Sequence, residues 1–260
     1  FLKDEIFDAK RTTILTGATL AVNGSLSFLQ QRLGVENARG VQLDTPFDYR
    51  RSALLFIPRD IPEPGSREYH EQMEYSISTL CSLIRGRTLA LFTSYASLQA
   101  TYHAIREPLE KNGIRVLAQG IENSPGQMIS SFAQNPECLL LGTSTFWEGV
   151  DLPAGVLKIL VLTRLPFAVP TDPLFAARAE YFEDSFNEYS LPQAIMRFKQ
   201  GFGRLIRHQN DKGAIVVLDS RIVSKNYGST FLDSIPQCNQ RVASLAVMAK
   251  EVASWLTEKP

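Results

Sequence analysis

Short, unbroken apolar runs punctuate the chain: TTILTG (12–17), ALLFIP (53–58), TLALFT (88–93), IRVLAQ (114–119), CLLLGT (138–143), LKILVLT (157–163) and AIVVLD (214–219). Continuous runs of this length, rather than alternating ones, suit strands buried on both faces. Between them, the segments 67–84, 95–111, 126–134, 173–187, 191–208 and 240–257 carry helical patterning. Strands that alternate with helices predict an α/β fold, an open parallel sheet of about six or seven strands with helices on both faces. Two stretches break the rhythm. In residues 1–50, TTILTGATL reads as a strand running into a loop, followed by a polar, helix-like run to Gly34, so this first strand need not join the same sheet. RLPFAVPTDP (164–173) carries Pro166, Pro170 and Pro173 and is expected to be a stiff, extended loop.

At 260 residues and 44% hydrophobic content the chain can fill a substantial core. Lys+Arg and Asp+Glu balance at 27 each, so any attraction for nucleic acid must come from local patches. Cys81, Cys138 and Cys238 lie far apart with no Cys-x-x-Cys spacing, which points away from a zinc site, an iron–sulfur cluster or a disulfide framework and toward reduced thiols of a cytoplasmic protein. His70, His103 and His208 also stand apart, and no metal site is expected. No apolar run approaches the roughly 18 residues of a membrane span, and the N-terminus lacks the apolar core of a signal peptide. The expectation is a soluble protein with no membrane partner. A chain that opens on Phe1 rather than Met is expected to be a piece of something longer.

The stretch QGFGRLIR (200–207) carries the sharpest chemistry. Each glycine inside a helix costs about 1 kcal/mol relative to alanine, so Gly201 and Gly203 raise the question of what must come close. Setting Gln200 at 0° and turning about 100° per residue puts Gly203 at about 300°, Arg204 at about 40° and Arg207 at about 340°. Ile195, Phe198, Phe202, Leu205 and Ile206 fall between roughly 140° and 240°, opposite that polar face. No acidic residue occurs from 191 to 210. Two guanidiniums one turn apart suit phosphate oxygens, with a solvated basic helix face as the plainer alternative. Two strand ends add hydroxyls. Thr143 and Ser144 follow CLLLGT, where an open parallel sheet binds ligands. Thr93 and Ser94 stand between a strand and a helix, where backbone N–H groups favour a phosphate; Ser94 also suits a plain helix cap. Trp147 fits either a base-stacking platform or the core. Glu148 and Asp151 suit a turn cap or a ligand.

QGFGRLIR fits Q-x-x-G-R-x-x-R and resembles motif VI of superfamily 2 helicases. LTGATL (15–20) resembles motif III, LFTSYASL (91–98) motif IV and GTSTFWEGVDLPAG (142–155) motif V, all in the family's order. FWEGVD and RLPFAVPTDPL resemble the DinG-like and XPD-like branch in particular, and the resemblance runs from about residue 12 to about residue 235.

This resemblance implies that residues 51–260 form the second of two RecA-like motor domains that clamp ATP and walk along single-stranded DNA. Residues 1–50 would then be a remnant of the first domain and its connection. By the same resemblance Arg207 is the arginine finger, with Arg204 alongside and Gln200 also facing the γ-phosphate. Gly203, Glu148, Gly149 and Asp151 lie near the nucleotide, Asp151 accepting from a ribose hydroxyl or an arginine. Thr93, Ser94, Thr143, Ser144 and Trp147 grip the DNA. The loop 164–173, with Arg164 where a strand exits, suits either the lining of a DNA channel or domain packing. ATP with Mg²⁺ is held mainly by the first domain, as is the iron–sulfur cluster of those members that carry one. A 5′ to 3′ polarity and a role in DNA repair are also implied.

The chain contains no Gly-Lys dipeptide and hence no G-x-x-x-x-G-K-[ST] phosphate loop. KDEI at the start has no apolar strand before it to make a magnesium box. Alone, the chain is expected to bind ATP weakly and hydrolyse nothing measurable. Two other readings stand: a catalytically inactive nucleic-acid clamp, opposed by the intact arginine pair, and an unrelated doubly wound enzyme for a phosphorylated small molecule.

Overall fold

Six of the seven apolar runs form neighbouring strands in the computed structural model, which describes residues 2–22, 24–121, 124–143, 146–147, 152–153 and 155–258. They are β1 (Ala53–Pro58), β2 (Thr88–Leu91), β3 (Arg115–Ala118), β4 (Cys138–Gly142), β5 (Ile159–Leu162) and β6 (Gly213–Val217). With β7 (Asn239–Ala243) they make a seven-stranded sheet in the order β3-β4-β2-β5-β6-β1-β7. Every pairing is parallel. The unbroken runs have a direct cause: along β1, Ala53, Leu55 and Ile57 enter one core and Leu54 and Phe56 the other.

Helices cover both faces, as expected. In chain order they are α1 (Ser27–Leu33), α2 (Tyr49–Ser52), α3 (Tyr69–Ile84), α4 (Tyr95–Lys111), α5 (Pro125–Gln134), α6 (Pro173–Ala179), α7 (Leu191–Phe202), α8 (Arg221–Ser224), α9 (Gly228–Asp233) and α10 (Leu245–Thr257). One core takes Met73 and Ile77 of α3, Leu98 and Tyr102 of α4, and Met248 and Val252 of α10. The other takes Met128 and Phe132 of α5, Ile195, Phe198 and Phe202 of α7, and Phe231 of α9. Local signals set the helix ends. Ser124 and Gln127 form a capping box on α5, with Pro125 at the first helical turn. The Arg87 guanidinium closes the other end of α5 by donating to the carbonyls of Phe132 and Asn135 at 3.0 Å and of Ala133 at 2.8 Å.

Four expectations are corrected. Residues 12–17 lie in no strand, and Ile14 and Leu15 are 79% and 50% exposed. An apolar run becomes a strand only where a ladder partner and a core are offered, and this run has neither. The chain meets the core just after it, where Ala21 and Val22 are buried and Lys199 Nζ donates to the Ala21 carbonyl at 2.7 Å. The segment 240–257 opens as β7 before becoming α10. This edge strand pairs only with β1, so its polar NQRVA sequence hides it from an apolar-run search. The helix expected over 191–208 ends at Phe202, and that over 173–187 ends at Ala179. Among the described residues no helix is long and apolar enough to cross a membrane.

Candidate nucleotide and nucleic-acid site

Strands β2, β4 and β5 end on one side of the sheet, beside a cleft of about 690 Å³. Phe92 and Thr93 after β2, Thr143 after β4, Pro166 to Val169 after β5, and Gln193, Arg197 and Gln200 of α7 line it. A crevice beyond the carboxyl ends of parallel strands is where such sheets bind ligands. Arg32, Arg178 and Arg197 line it too, while Asp172, the one acidic liner among the described residues, spends its carboxylate on the N-cap of α6, accepting from Phe175 N at 2.8 Å. The neutral net charge thus conceals a basic groove. Arg32, which sequence reasoning passed over, lies 5.8 Å over the Tyr189 ring. Its only signal was a cation in the last turn of an early helix.

The hydroxyls separate into two roles. Thr93 lines the cleft. Ser94 is the N-cap of α4, its Oγ accepting from Ser97 N at 3.4 Å. Thr143 is held by Gln119, whose Oε1 accepts from Thr143 N at 2.7 Å and from its hydroxyl at 3.0 Å. Gln119 was also missed. It ends the run IRVLAQ, and a polar residue closing a strand beside β4 was the signal.

Trp147 is core. It is 3% exposed, its Nε1 donates to the Phe92 carbonyl at 3.2 Å, and only that small remainder of its surface lines the cleft. That burial also explains one glycine. A Cβ on Gly201 would lie 2.9 Å from Trp147 Cζ3, so the helix passes close to an indole rather than to a ligand. Gly203 is the C-cap of α7 with φ −65°, and a Cβ there would meet nothing nearer than 3.4 Å. Space therefore does not demand glycine at 203.

Because α7 stops at Phe202, Arg204 and Arg207 do not extend its polar face. Arg204 is 8% exposed and donates to the Trp147 carbonyl through Nε at 3.2 Å and Nη2 at 2.7 Å. Arg207 Nη1 donates to the Leu152 carbonyl at 2.8 Å, and Asp211 Oδ2 accepts from the backbone N–H of Arg207 and of His208, each at 2.8 Å. The two guanidiniums thus grip carbonyls on either side of residues 148–151. A buried cation is tolerable only with such acceptors. Gln200 lies apart from them in the cleft with Thr93 and Thr143, its Oε1 buried without a hydrogen-bond partner. Ser144, Glu148, Gly149 and Asp151 lie outside the described residues.

The family model described as "Helicase C-terminal domain" matches residues 77–238, well over half of the chain. The chain belongs to that family. The matched residues of this helicase C-terminal domain hold β2 to β6, both arginines and the named cleft liners other than Arg32. The domain is 37% identical over 245 residues to the 3′-5′ exonuclease DinG of Bacillus subtilis (strain 168), covering 90% of this chain and 26% of that protein. It is 39% identical over 227 residues to the ATP-dependent DNA helicase YoaA of Escherichia coli (strain K12), covering 86% of this chain and 35% of that protein. It therefore spans about a quarter to a third of the length of these curated relatives.

Solved structures agree on the fold. An XPD helicase matches with TM-score 0.54 at 17% identity, over 73% of this chain and 36% of that one. S. cerevisiae Dbp5 bound to RNA and ADP BeF3 matches with TM-score 0.55 at 14% identity, over 89% of this chain and 52% of that one. In sequence the helicase C-terminal domain is similar to DinG and YoaA, and its RecA-like sheet is the fold it shares with the XPD and Dbp5 structures.

Proposed function

We propose that the chain is the second motor lobe of an ATP-dependent DNA helicase, completing a nucleotide site on a preceding lobe and holding single-stranded DNA along the basic cleft. One observation carries this reading. Arg204 and Arg207 are tied to the two ends of residues 148–151, the continuation of the β4 segment whose Thr143 lines the cleft. A change at the arginines is therefore a change in the segment that leads to the groove, which is what coupling hydrolysis to translocation requires. Arg207 is the finger for the γ-phosphate, with Arg204 fixing the segment it shares, and Gln200 reads the groove side. Thr93, Thr143 and the cationic liners hold the DNA backbone.

ATP with Mg²⁺ belongs mainly to the first lobe, since this chain has no Gly-Lys dipeptide from which to build a phosphate loop. The chain's own contribution is cationic, and guanidiniums fit a nucleotide's phosphates. Ile14, Leu15, Val41 and Leu43, all at least half exposed, are the apolar contacts that residues 1–50 offer to that lobe. We assign 5′ to 3′ movement, a role in DNA repair and a cytoplasmic setting, the last in keeping with three free thiols.

In the full-length protein, Arg207→Ala should remove ATP hydrolysis, by the roughly 10³ to 10⁵ that such fingers contribute in GTPases, while sparing most nucleotide binding. Hydrolysis retained within tenfold would reject the finger assignment. The isolated chain should show no turnover.

A further inference from the structure

We propose that Asp219 and Arg221 form a positioning device for the proline-rich loop 164–173, and so set how tightly the cleft takes a single-stranded nucleic acid. The inference rests on the cleft being the nucleic-acid groove. Neither residue belongs to the motifs that carried the functional reading, and neither lines the cleft.

Asp219 follows β6 and is fully buried. Its carboxylate is saturated by four N–H donors. Oδ2 accepts from Leu165 N at 2.8 Å and Arg221 Nη2 at 2.7 Å, and Oδ1 from Arg221 N at 3.1 Å and Nε at 2.9 Å. Three of these four donors come from Arg221: its backbone N–H, and the Nε and Nη2 of a side-on, two-toothed contact that lysine cannot reproduce. The fourth is the backbone of the loop. The clamped guanidinium then lies 5.8 Å over the ring of Phe167, two residues further on. The pair therefore holds the loop at two successive points, once by backbone and once by ring.

The loop needs such anchors because it has little of its own. Pro166, Pro170 and Pro173 have no N–H, and its internal backbone bonds among described residues are Phe167 N to Leu165 O at 2.8 Å and Asp172 N to Val169 O at 3.0 Å. Stiff and sparsely bonded, it transmits a displacement at Leu165 along its length. Beyond the anchor, Pro166 to Val169 and Asp172 form one wall of the cleft, and Val169 is 56% exposed. Phe167 lines the cleft and also packs against Phe186, Tyr227 and Phe231 at centroid distances of 5.9, 5.5 and 5.7 Å. Holding Phe167 in that cluster keeps the wall upright beside the groove.

The test is steady-state ATP hydrolysis by the full-length protein, with and without a single-stranded oligonucleotide. Arg221→Lys keeps the charge but loses the fork and the flat face. It should raise the oligonucleotide concentration for half-maximal stimulation about tenfold and leave the unstimulated rate unchanged. Phe167→Leu, which leaves the ion pair intact, should shift it in the same direction and serves if Arg221→Lys folds poorly. A merely structural pair would lower both rates together through the folded fraction, with half-saturation unmoved, and that result overturns the proposal. Arg178→Glu, in the cleft itself, separates the two levels of inference. If it weakens the oligonucleotide response while Arg221→Lys and Phe167→Leu do not, the positioning role falls and the groove stands. If none of the three shifts it, both fall.

Discussion

Gly201→Ala sets two effects of similar size against each other, and the structure decides the sign. The position is inside α7, where alanine is favoured over glycine by about 1 kcal/mol. Against that, the new Cβ would sit 2.9 Å from Cζ3 and 3.2 Å from Cε3 of Trp147. The indole cannot yield cheaply. It is buried, hydrogen-bonded to the Phe92 carbonyl, and joined to Phe146, whose Cβ already lies 2.5 Å from where a Cβ on Gly142 would be. Overpacking a fixed site costs about 1–3 kcal/mol, and weakening the indole bond adds about 1 kcal/mol. The net expectation is a loss of about 1–3 kcal/mol, or roughly 2–12 °C in Tm for a chain of this size. Gly203→Ala is the internal comparison. Its φ of −65° and open surroundings predict a change within about 0.5 kcal/mol of zero. Urea or thermal unfolding of the two variants beside the parent reads this out. Should Gly201→Ala match or exceed the parent in stability, the indole does not set the requirement for glycine. Because the Trp147 carbonyl also receives Arg204, the same variant in the full-length protein should lower ATP hydrolysis, whereas Gly203→Ala should not.

Two further outcomes are expected. Arg87→Ala strips three carbonyls at the C-terminal end of α5 of their donor and should cost about 1–3 kcal/mol in unfolding free energy while leaving the affinity for an oligonucleotide unchanged; an unchanged Tm would show that water replaces the guanidinium without penalty. Burial pushes the thiols of Cys81 and Cys138 up to about 12, above the roughly 8.5 of a free thiol. Their contribution to stability is therefore fully present below about pH 8.5 and is lost as pH rises toward 12, by up to about 1.4 kcal/mol per pH unit for each thiol. Unfolding measured between pH 8 and 11 should steepen accordingly and flatten in a Cys81→Ala, Cys138→Ala variant. Alkylation of either thiol in the folded protein at pH 8 at the rate of a free cysteine would contradict this.

Much of the sheet was legible because a strand with core on both sides has no polar position to disguise it, and β1, β2, β4, β5 and β6 all meet that condition. β7 does not, since three of its four exposed residues are polar and its pairing with β1 reveals it as a strand. The run 12–17 shows the reverse error, apolar enough for a strand but with no ladder to join. At the site, residue types were legible and their neighbours were not. Arg204 and Arg207 stood out as cations without local acids, yet a helical wheel carried them onto a face that ends at Gly203. Gln119, Arg32 and the Asp219–Arg221 pair became visible only when strand ends distant in sequence met.

The sequence by itself determined a doubly covered parallel sheet and the motif order of a helicase lobe, because apolar continuity and residue identity are local properties of a chain. Only the tertiary structure decided that Trp147 is core, that Gly201 makes room for it, and that the arginines hold the carbonyls of Trp147 and Leu152. Those outcomes depend on which surfaces pack at contact distance, and a one-dimensional pattern carries no distances between elements.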